Sequence, residues 1–203
     1  MKKIYPLLLF LAIFVVTFFI WKGVLAFPSA SAPLSPLTSP SPEVVLIPSP
    51  SPEISELPKR LVIPKLNVEA EVESVGMDNK GRMDVPIGVT NVAWYNLGFK
   101  PGQTGNAVFA GHFDKPDGKP SVFNKLDTLK VGDLIEVDGQ LGTKQQFKVT
   151  EVRVVDLDKF PLEEVFGQGD KKMVNLITCG GEWNKEKKEY SERTIVFSEL
   201  VTP

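Results

Sequence analysis

The chain has 203 residues, a formal net charge of −2, one cysteine and one histidine. Because acidic and basic residues nearly balance, no basic surface favours nucleic-acid binding, and a single cysteine cannot form an intramolecular disulfide. One histidine and one cysteine are also a thin ligand set, so the sequence predicts neither a metal site nor a cofactor.

The N-terminal segment predicts a membrane anchor. Ile4 to Trp21 form an almost wholly apolar run behind two lysines, and its length is about the minimum of 18 residues that spans a bilayer core. The positive-inside rule places the N-terminus in the cytoplasm and the rest of the chain outside. We predict an uncleaved signal-anchor over residues 1–27, with a cleaved signal peptide ending near Ala26 as the alternative. Both alternatives export the remainder of the chain.

A proline- and serine-rich stretch follows. Positions 28–58 hold nine of the 17 prolines and eight serines, with three acidic residues and no basic one. Such a segment stays extended and has too few apolar side chains to bury a core. We therefore predict a disordered linker over 28–58, which holds one folded domain, residues 59–203, away from the membrane.

The folded domain is predicted to be mostly β-structure. Its apolar runs are rich in Val, Ile, Phe and Thr, and turn sequences rich in Gly, Pro, Asn and Asp separate them. The predicted strands are 60–64, 69–76, 106–112, 133–139, 145–156, 172–179 and 193–200. Two short helices are predicted at 121–129 and 161–167. Seven short strands in one domain indicate a barrel or a sandwich.

Three residues with reactive side chains lie at the ends of predicted strands. Cys179 ends the run "VNLITC" before two glycines, His112 ends "AVFAGH", and Arg193 begins the last strand. A thiol nucleophile needs a proton donor for the leaving group and a group that stabilises the oxyanion, and these residue types could supply both. Each also has an ordinary structural explanation, as a buried apolar cysteine, a surface histidine or a solvated arginine.

The order and spacing of these residues resemble those of one known family. "NLITC" at 175–179 is followed 14 positions later by Arg193 and preceded by His112, 67 positions before Cys179. The sequence resembles the sortases, which are membrane-anchored cysteine transpeptidases of bacterial surfaces and carry Thr-Leu-x-Thr-Cys on a strand. Asn175 stands here in place of the first threonine. The likeness runs from about Leu61 to Leu200, and "LITCGG" and "AGHxD" are most similar to the class F sortases.

The resemblance implies a fold and a reaction. The expected fold is mainly β, a closed eight-stranded barrel with short helices, and residues 59–203 are the expected catalytic domain. The implied nucleophile is Cys179, which cleaves a signal of Leu-Pro-x-Thr-Gly type after threonine and forms a thioacyl-enzyme. His112 is the implied proton donor, and Arg193 suits the oxyanion or the substrate carbonyls. Thr178 is expected to support that site with its hydroxyl or backbone N–H. Asp114, two residues after His112, is expected either to hold the imidazole or to be solvated in the turn.

The resemblance also implies partners. These are surface proteins that carry a sorting signal and an amine acceptor, either a cell-wall precursor or a pilin lysine, with the membrane contacted through the N-terminal helix. The alternative function is a membrane-tethered β-domain that only binds a partner and keeps an inert Cys179. The reactivity of the thiol separates these two hypotheses. A papain-like enzyme does not fit, because no histidine follows Cys179.

Overall fold

The computed structural model describes residues 55–201. The predicted anchor, and the predicted linker up to residue 54, lie outside the described residues. The last linker positions belong to the folded unit, because the first strand begins at Pro58 and the Glu56 carboxylate accepts a hydrogen bond from the Leu141 N–H at 2.7 Å. Within residues 55–201, no helix has the length and apolar character needed to cross a membrane.

Eight strands form a closed barrel. The strands are β1 (Pro58–Ile63), β2 (Val68–Val75), β3 (Val92–Tyr95), β4 (Gly105–Gly111), β5 (Leu134–Gly139), β6 (Lys144–Asp156), β7 (Lys172–Asn184) and β8 (Glu189–Leu200). Their order around the barrel is β1-β2-β3-β4-β7-β8-β6-β5, with β5 pairing back to β1. The pairs β2–β3 and β4–β7 are parallel and the others are antiparallel. The eight-stranded barrel implied by the resemblance is therefore confirmed.

The sequence prediction missed one strand and misplaced the ends of two others. β3 is only four residues long, which is too short for an alternating pattern to stand out. β7 continues past Cys179 to Asn184, and β8 begins at Glu189 rather than Arg193. The prediction that Cys179 and Arg193 lie at strand ends was therefore wrong, because the two strands extend as a hairpin beyond both residues.

The helical content is small. The predicted helix at 161–167 is present as α1 (Leu162–Phe166), whereas 121–129 contains only a 3₁₀ turn at Leu126–Thr128. Two further 3₁₀ turns lie at Pro64–Leu66 and Leu157–Lys159. The helix α1 and the segment before it pack on the outer face of the wall formed by β4, β7 and β8.

Side chains that alternate along β4, β7 and β8 build two different apolar clusters. The inner cluster fills the barrel and includes Phe109, Leu176 and Val196, all fully buried. The outer cluster lies on the opposite face of the same strands. It comprises Val108, Val165, Ile177, Ile195 and Phe197, with Phe160 and Phe166 packed against it. The outer cluster covers this wall up to the level of Ile177, and the side chains beyond it form the candidate site.

Candidate active site

The barrel brings His112, Cys179 and Arg193 into one row, here called the central row. Cys179 on β7 pairs directly with Arg193 on β8. The parallel β4–β7 register pairs Ala110 with Ile177, and continuing it by two residues sets His112 beside Cys179. Neighbouring strands lie about 4.7–4.9 Å apart, so both partners flank the cysteine at side-chain reach. Because Ile177 and Ile195 belong to the outer cluster, alternation directs the central row to the outer face.

The Cys179 thiol lies in a half-buried environment. Partial burial raises the pKa of the Cys179 thiol above its ordinary value, the Arg193 charge opposes that rise, and the Asp114 carboxylate adds to it. Burial disfavours the thiolate because the anion loses hydration. Arg193 is therefore the charge in the central row that favours the nucleophilic form of the sulfur.

The Arg193 guanidinium is oriented by its own strand. Its Nη1 donates hydrogen bonds to the carbonyl oxygens of Tyr190 at 3.1 Å and Glu192 at 2.7 Å. These bonds hold one edge of the planar group beside β8. The guanidinium carries five N–H donors, so donors remain for a substrate oxygen near the sulfur.

The histidine is held by a backbone carbonyl. His112 Nε2 lies 2.9 Å from the Pro86 oxygen, in the loop between β2 and β3. Because a carbonyl oxygen only accepts hydrogen bonds, Nε2 must carry a proton in this arrangement. Neutral His112 then has a bare Nδ1, and protonated His112 donates from both nitrogens.

The Asp114 carboxylate and the Thr178 hydroxyl each have a hydrogen-bond partner that the sequence did not indicate. The Asp114 carboxylate accepts a hydrogen bond from the Tyr190 hydroxyl at 2.5 Å, and the His112 ring is hydrogen-bonded to the Pro86 carbonyl. The Thr178 hydroxyl donates to the Gly111 carbonyl at 2.8 Å and is buried on the barrel side of β7. It therefore faces away from the sulfur, and a contribution of Thr178 to the oxyanion site through its backbone N–H stays a prediction.

A cleft of about 740 Å³ opens beside His112. The β7–β8 hairpin contributes Trp183 and Tyr190 to it, and Pro86 and Ile87 lie on the opposite wall. Trp183 is half-exposed and contacts the Tyr190 ring edge-on at 5.0 Å between ring centroids. Within residues 55–201, no three His, Cys, Asp or Glu side chains are grouped to hold a metal ion.

Two asparagines on the barrel wall bind the helix α1. Asn175 Nδ2 donates to the Val165 carbonyl at 2.9 Å, and Asn106 Nδ2 donates to the Glu164 carbonyl at 3.0 Å. Both acceptors lie in α1, whose five residues are too few to be stable alone. The residue that departs from the Thr-Leu-x-Thr-Cys pattern is therefore a buried contact that attaches α1 to the barrel.

Sequence reasoning missed Pro86 and Tyr190, the partners of His112 and Asp114. Neither has a spacing signal, because their contacts cross between segments separated by 26 and 76 positions along the chain. The missed strand β3 is part of the reason, since it brings the preceding loop next to the end of β4.

A comparison with protein-family models identifies the family of this chain. The family model described as the sortase domain matches residues 61–201. The chain belongs to the sortase family. Sortases are cysteine transpeptidases, so the family assignment favours the enzyme over the binding-module alternative.

Solved structures carry the same fold. Sortase C-1 from Actinomyces oris is 24% identical, with 71% of this chain and 73% of that chain covered and a TM-score of 0.54. A lid mutant of sortase A from Corynebacterium diphtheriae is 18% identical, with 73% and 72% covered and a TM-score of 0.56. Sortase C from Clostridium perfringens SM101 is 21% identical, with 73% and 71% covered and a TM-score of 0.53.

No curated protein matches the chain. The structures above are sortases of classes A and C, so the similarity of this sortase to class F stays a prediction from its sequence phrases.

Proposed function

We propose that this sortase is a membrane-anchored transpeptidase of the cell surface that uses Cys179 as its nucleophile and acts on a signal of Leu-Pro-x-Thr-Gly type. The observation that supports the proposal is the strand register, which pairs Cys179 with Arg193 and, continued two residues past the Ala110–Ile177 pair, sets His112 beside Cys179. The predicted anchor over residues 1–27 supports the location.

The first half-reaction makes a thioester. The Cys179 thiolate attacks the threonine carbonyl carbon, and electrons move onto the carbonyl oxygen to give a tetrahedral oxyanion. When the carbonyl reforms, the carbon–nitrogen bond to glycine breaks, and protonated His112 donates a proton to the departing amine. The products are a thioacyl-enzyme, a shortened peptide and neutral His112.

The second half-reaction transfers the acyl group. An acceptor amine attacks the thioester carbonyl, the sulfur leaves as thiolate, and neutral His112 accepts the proton that the amine releases. A new amide bond replaces the one that was cleaved. The cleft beside His112 suits the entry of this amine, because it opens next to the base and is bordered by the Asp114 carboxylate.

The reaction requires a thiolate and an imidazolium in the same molecule, and with ordinary pKa values only a small fraction of molecules holds both. With ordinary pKa values for a thiol and an imidazole, about one molecule in a hundred would hold thiolate and imidazolium together at pH 7.5. Burial of Cys179 works against the thiolate, whereas Arg193 favours it. Arg193 therefore has two roles in the proposal, to stabilise the thiolate and to bind the oxyanion through its remaining N–H donors.

The test is product formation by the purified chain. The 203-residue chain is incubated with a Leu-Pro-x-Thr-Gly peptide and triglycine, and mass spectrometry measures the new amide product and the acylated protein. We expect both species from the unaltered chain and neither from Cys179→Ala, whose fold is checked by thermal melting. Product from Cys179→Ala would contradict the role of the thiol. An unaltered chain that turns over none of a set of related signal peptides would contradict the signal.

A further inference from the structure

Outside the central row, a carboxylate on β2 binds the loop between β2 and β3. Glu73 on β2 accepts hydrogen bonds from the Ile87 N–H at 2.7 Å, the Gly88 N–H at 2.8 Å and the Asn91 side-chain amide at 2.8 Å. Glu73 lies on the outer side of β2, because the neighbouring Val72 packs on the inner cluster. A single carboxylate thus gathers three donors from positions 87–91 of one loop.

One of these donors shares a peptide group with the carbonyl that holds the histidine. The Pro86 C=O and the Ile87 N–H are opposite ends of the same planar peptide unit. Glu73 binds its N–H end, and His112 Nε2 binds its C=O end. A negative charge on the donor end polarises the peptide and strengthens the carbonyl as an acceptor, since hydrogen bonds in a chain reinforce one another.

Gly88 provides an independent sign that the loop is shaped around this contact. A Cβ at position 88 would lie 2.4 Å from Asn91 Nδ2 and 3.0 Å from Glu73 Oε1. A side chain at this position would therefore push away two members of the contact. Pro86 contributes in another way, because its ring fixes φ and its side chain is buried.

We propose that Glu73 is a positioning residue for the reaction, acting on His112 through the Pro86–Ile87 peptide. The arrangement is a carboxylate–peptide–imidazole chain, in which the peptide takes the place of direct contact between acid and imidazole. It selects the Nε2–H tautomer and turns Nδ1 toward the reacting groups, where the ring must serve the leaving amine. The inference rests on the proposed role of His112.

Several other titratable or charged groups lie around His112, and their effects on the imidazole must be separated from that of Glu73. They are Cys179 on β7, Arg193 and Tyr190 on β8, and Asp114 and Lys115 in the segment after β4. Asp114 is bound to Tyr190, and Arg193 to carbonyls of its own strand. Although partial burial acts against it, the Ile87, Gly88 and Asn91 donors and the nearby His112 lower the pKa of Glu73, so it is ionised at neutral pH.

The experiment exploits the single histidine of the chain. The 203-residue chain, purified without a histidine tag, is labelled with ¹⁵N, and the imidazole nitrogens are observed by NMR in a Cys179→Ala background. In Glu73→Gln we expect the imidazole signals to change from those of the Nε2–H tautomer to those of a mixture of both tautomers. The matched control is Glu71→Gln, which removes the same charge from an exposed position on the same strand.

Kinetics supply a second readout in the active enzyme. In Glu73→Gln a poorly oriented His112 should lower kcat about three- to tenfold and leave KM nearly unchanged, because the proton is transferred only after the substrate is bound. A raised KM with an unchanged kcat would reduce Glu73 to a structural contact and overturn the inference.

A second variant keeps the test decisive should Glu73→Gln lose the fold. Gly88→Ala displaces Glu73 and Asn91 while every charge is retained, and it should change the tautomer in the same direction. An unchanged His112 spectrum in either folded variant contradicts the inference. A changed spectrum with unchanged turnover leaves the Glu73 contact standing and contradicts the proposed role of His112 instead.

Discussion

The inner and outer faces of β4, β7 and β8 are built from the same strands but are occupied by different side-chain types. The inward positions, such as Phe109 and Leu176, are apolar and fully buried. The outward positions include Asn106, His112 and Asn175, together with the apolar residues of the outer cluster. The inner face therefore holds the barrel together, and the outer face uses that rigid wall to position reactive groups. Changes on the two faces should accordingly separate stability from catalysis.

The largest effect on stability is expected from the inner face. Phe109→Ala should lower the free energy of unfolding by about 3–5 kcal/mol, because it leaves a cavity at a fully buried position. Cys179→Ala, on the outer face, should lower it by only about 1 kcal/mol. Urea titrations followed by tryptophan fluorescence measure both values. Equal losses would show that the two faces do not differ as the comparison requires.

The next effect is catalytic and concerns Arg193. Arg193→Ala should reduce turnover by about a hundred- to a thousandfold, which corresponds to the loss of one oxyanion donor, or about 2.7–4 kcal/mol. Arg193→Lys should reduce it at least about tenfold, because an ammonium on a flexible stem cannot reproduce the planar donor group. Steady-state turnover and thermal melts are compared for both variants. A lysine variant with the original rate would assign Arg193 to the solvated surface.

A smaller change in stability should result from the departure at position 175. Asn175→Thr removes the donor to the Val165 carbonyl in α1, and a net loss of about 1 kcal/mol is expected for one such hydrogen bond. The control is Asn96→Thr at an exposed position, which should leave stability nearly unchanged. A stability unaffected by Asn175→Thr would show that α1 is held by its apolar contacts alone.

The smallest expected effect concerns the charges that act on the Cys179 thiol on the outer face. Because Asp114 adds to the rise in the pKa of Cys179, Asp114→Asn should lower that pKa and increase the thiolate fraction at pH 7.5. Alkylation by iodoacetamide should become about threefold faster. Arg193→Ala should slow it, because Arg193 lowers the pKa. The chain has one cysteine, so mass spectrometry reports this site alone, and the exposed Asp117→Asn serves as control. Equal rates for Asp114→Asn and Asp117→Asn would contradict the assignment.

The sequence pattern by itself was sufficient for most of the strands and for the members of the central row, whereas the choice of a closed barrel came from the family resemblance. Alternating runs with turn residues between them specify strands because each strand buries one face, and seven of the eight strands were predicted on that basis. His112, Cys179 and Arg193 were identified because the chain has one histidine and one cysteine, and because their order and the surrounding phrases match a known family. The sequence was informative about features that depend on residues close together in the chain, such as the alternation within one strand.

Tertiary structure decided which groups contact those residues. The Pro86 carbonyl meets His112, and Tyr190 meets Asp114, only because β3 inserts between β2 and β4 and because β7 and β8 extend as a hairpin past the thiol. Thr178 turned inward for the same reason that Cys179 turned outward, since adjacent residues of a strand point to opposite faces. Glu73 has the sequence context of a solvent-facing strand residue. Its three hydrogen bonds depend on the path of a loop that returns 14–18 positions later, and no spacing within the chain encodes such a contact.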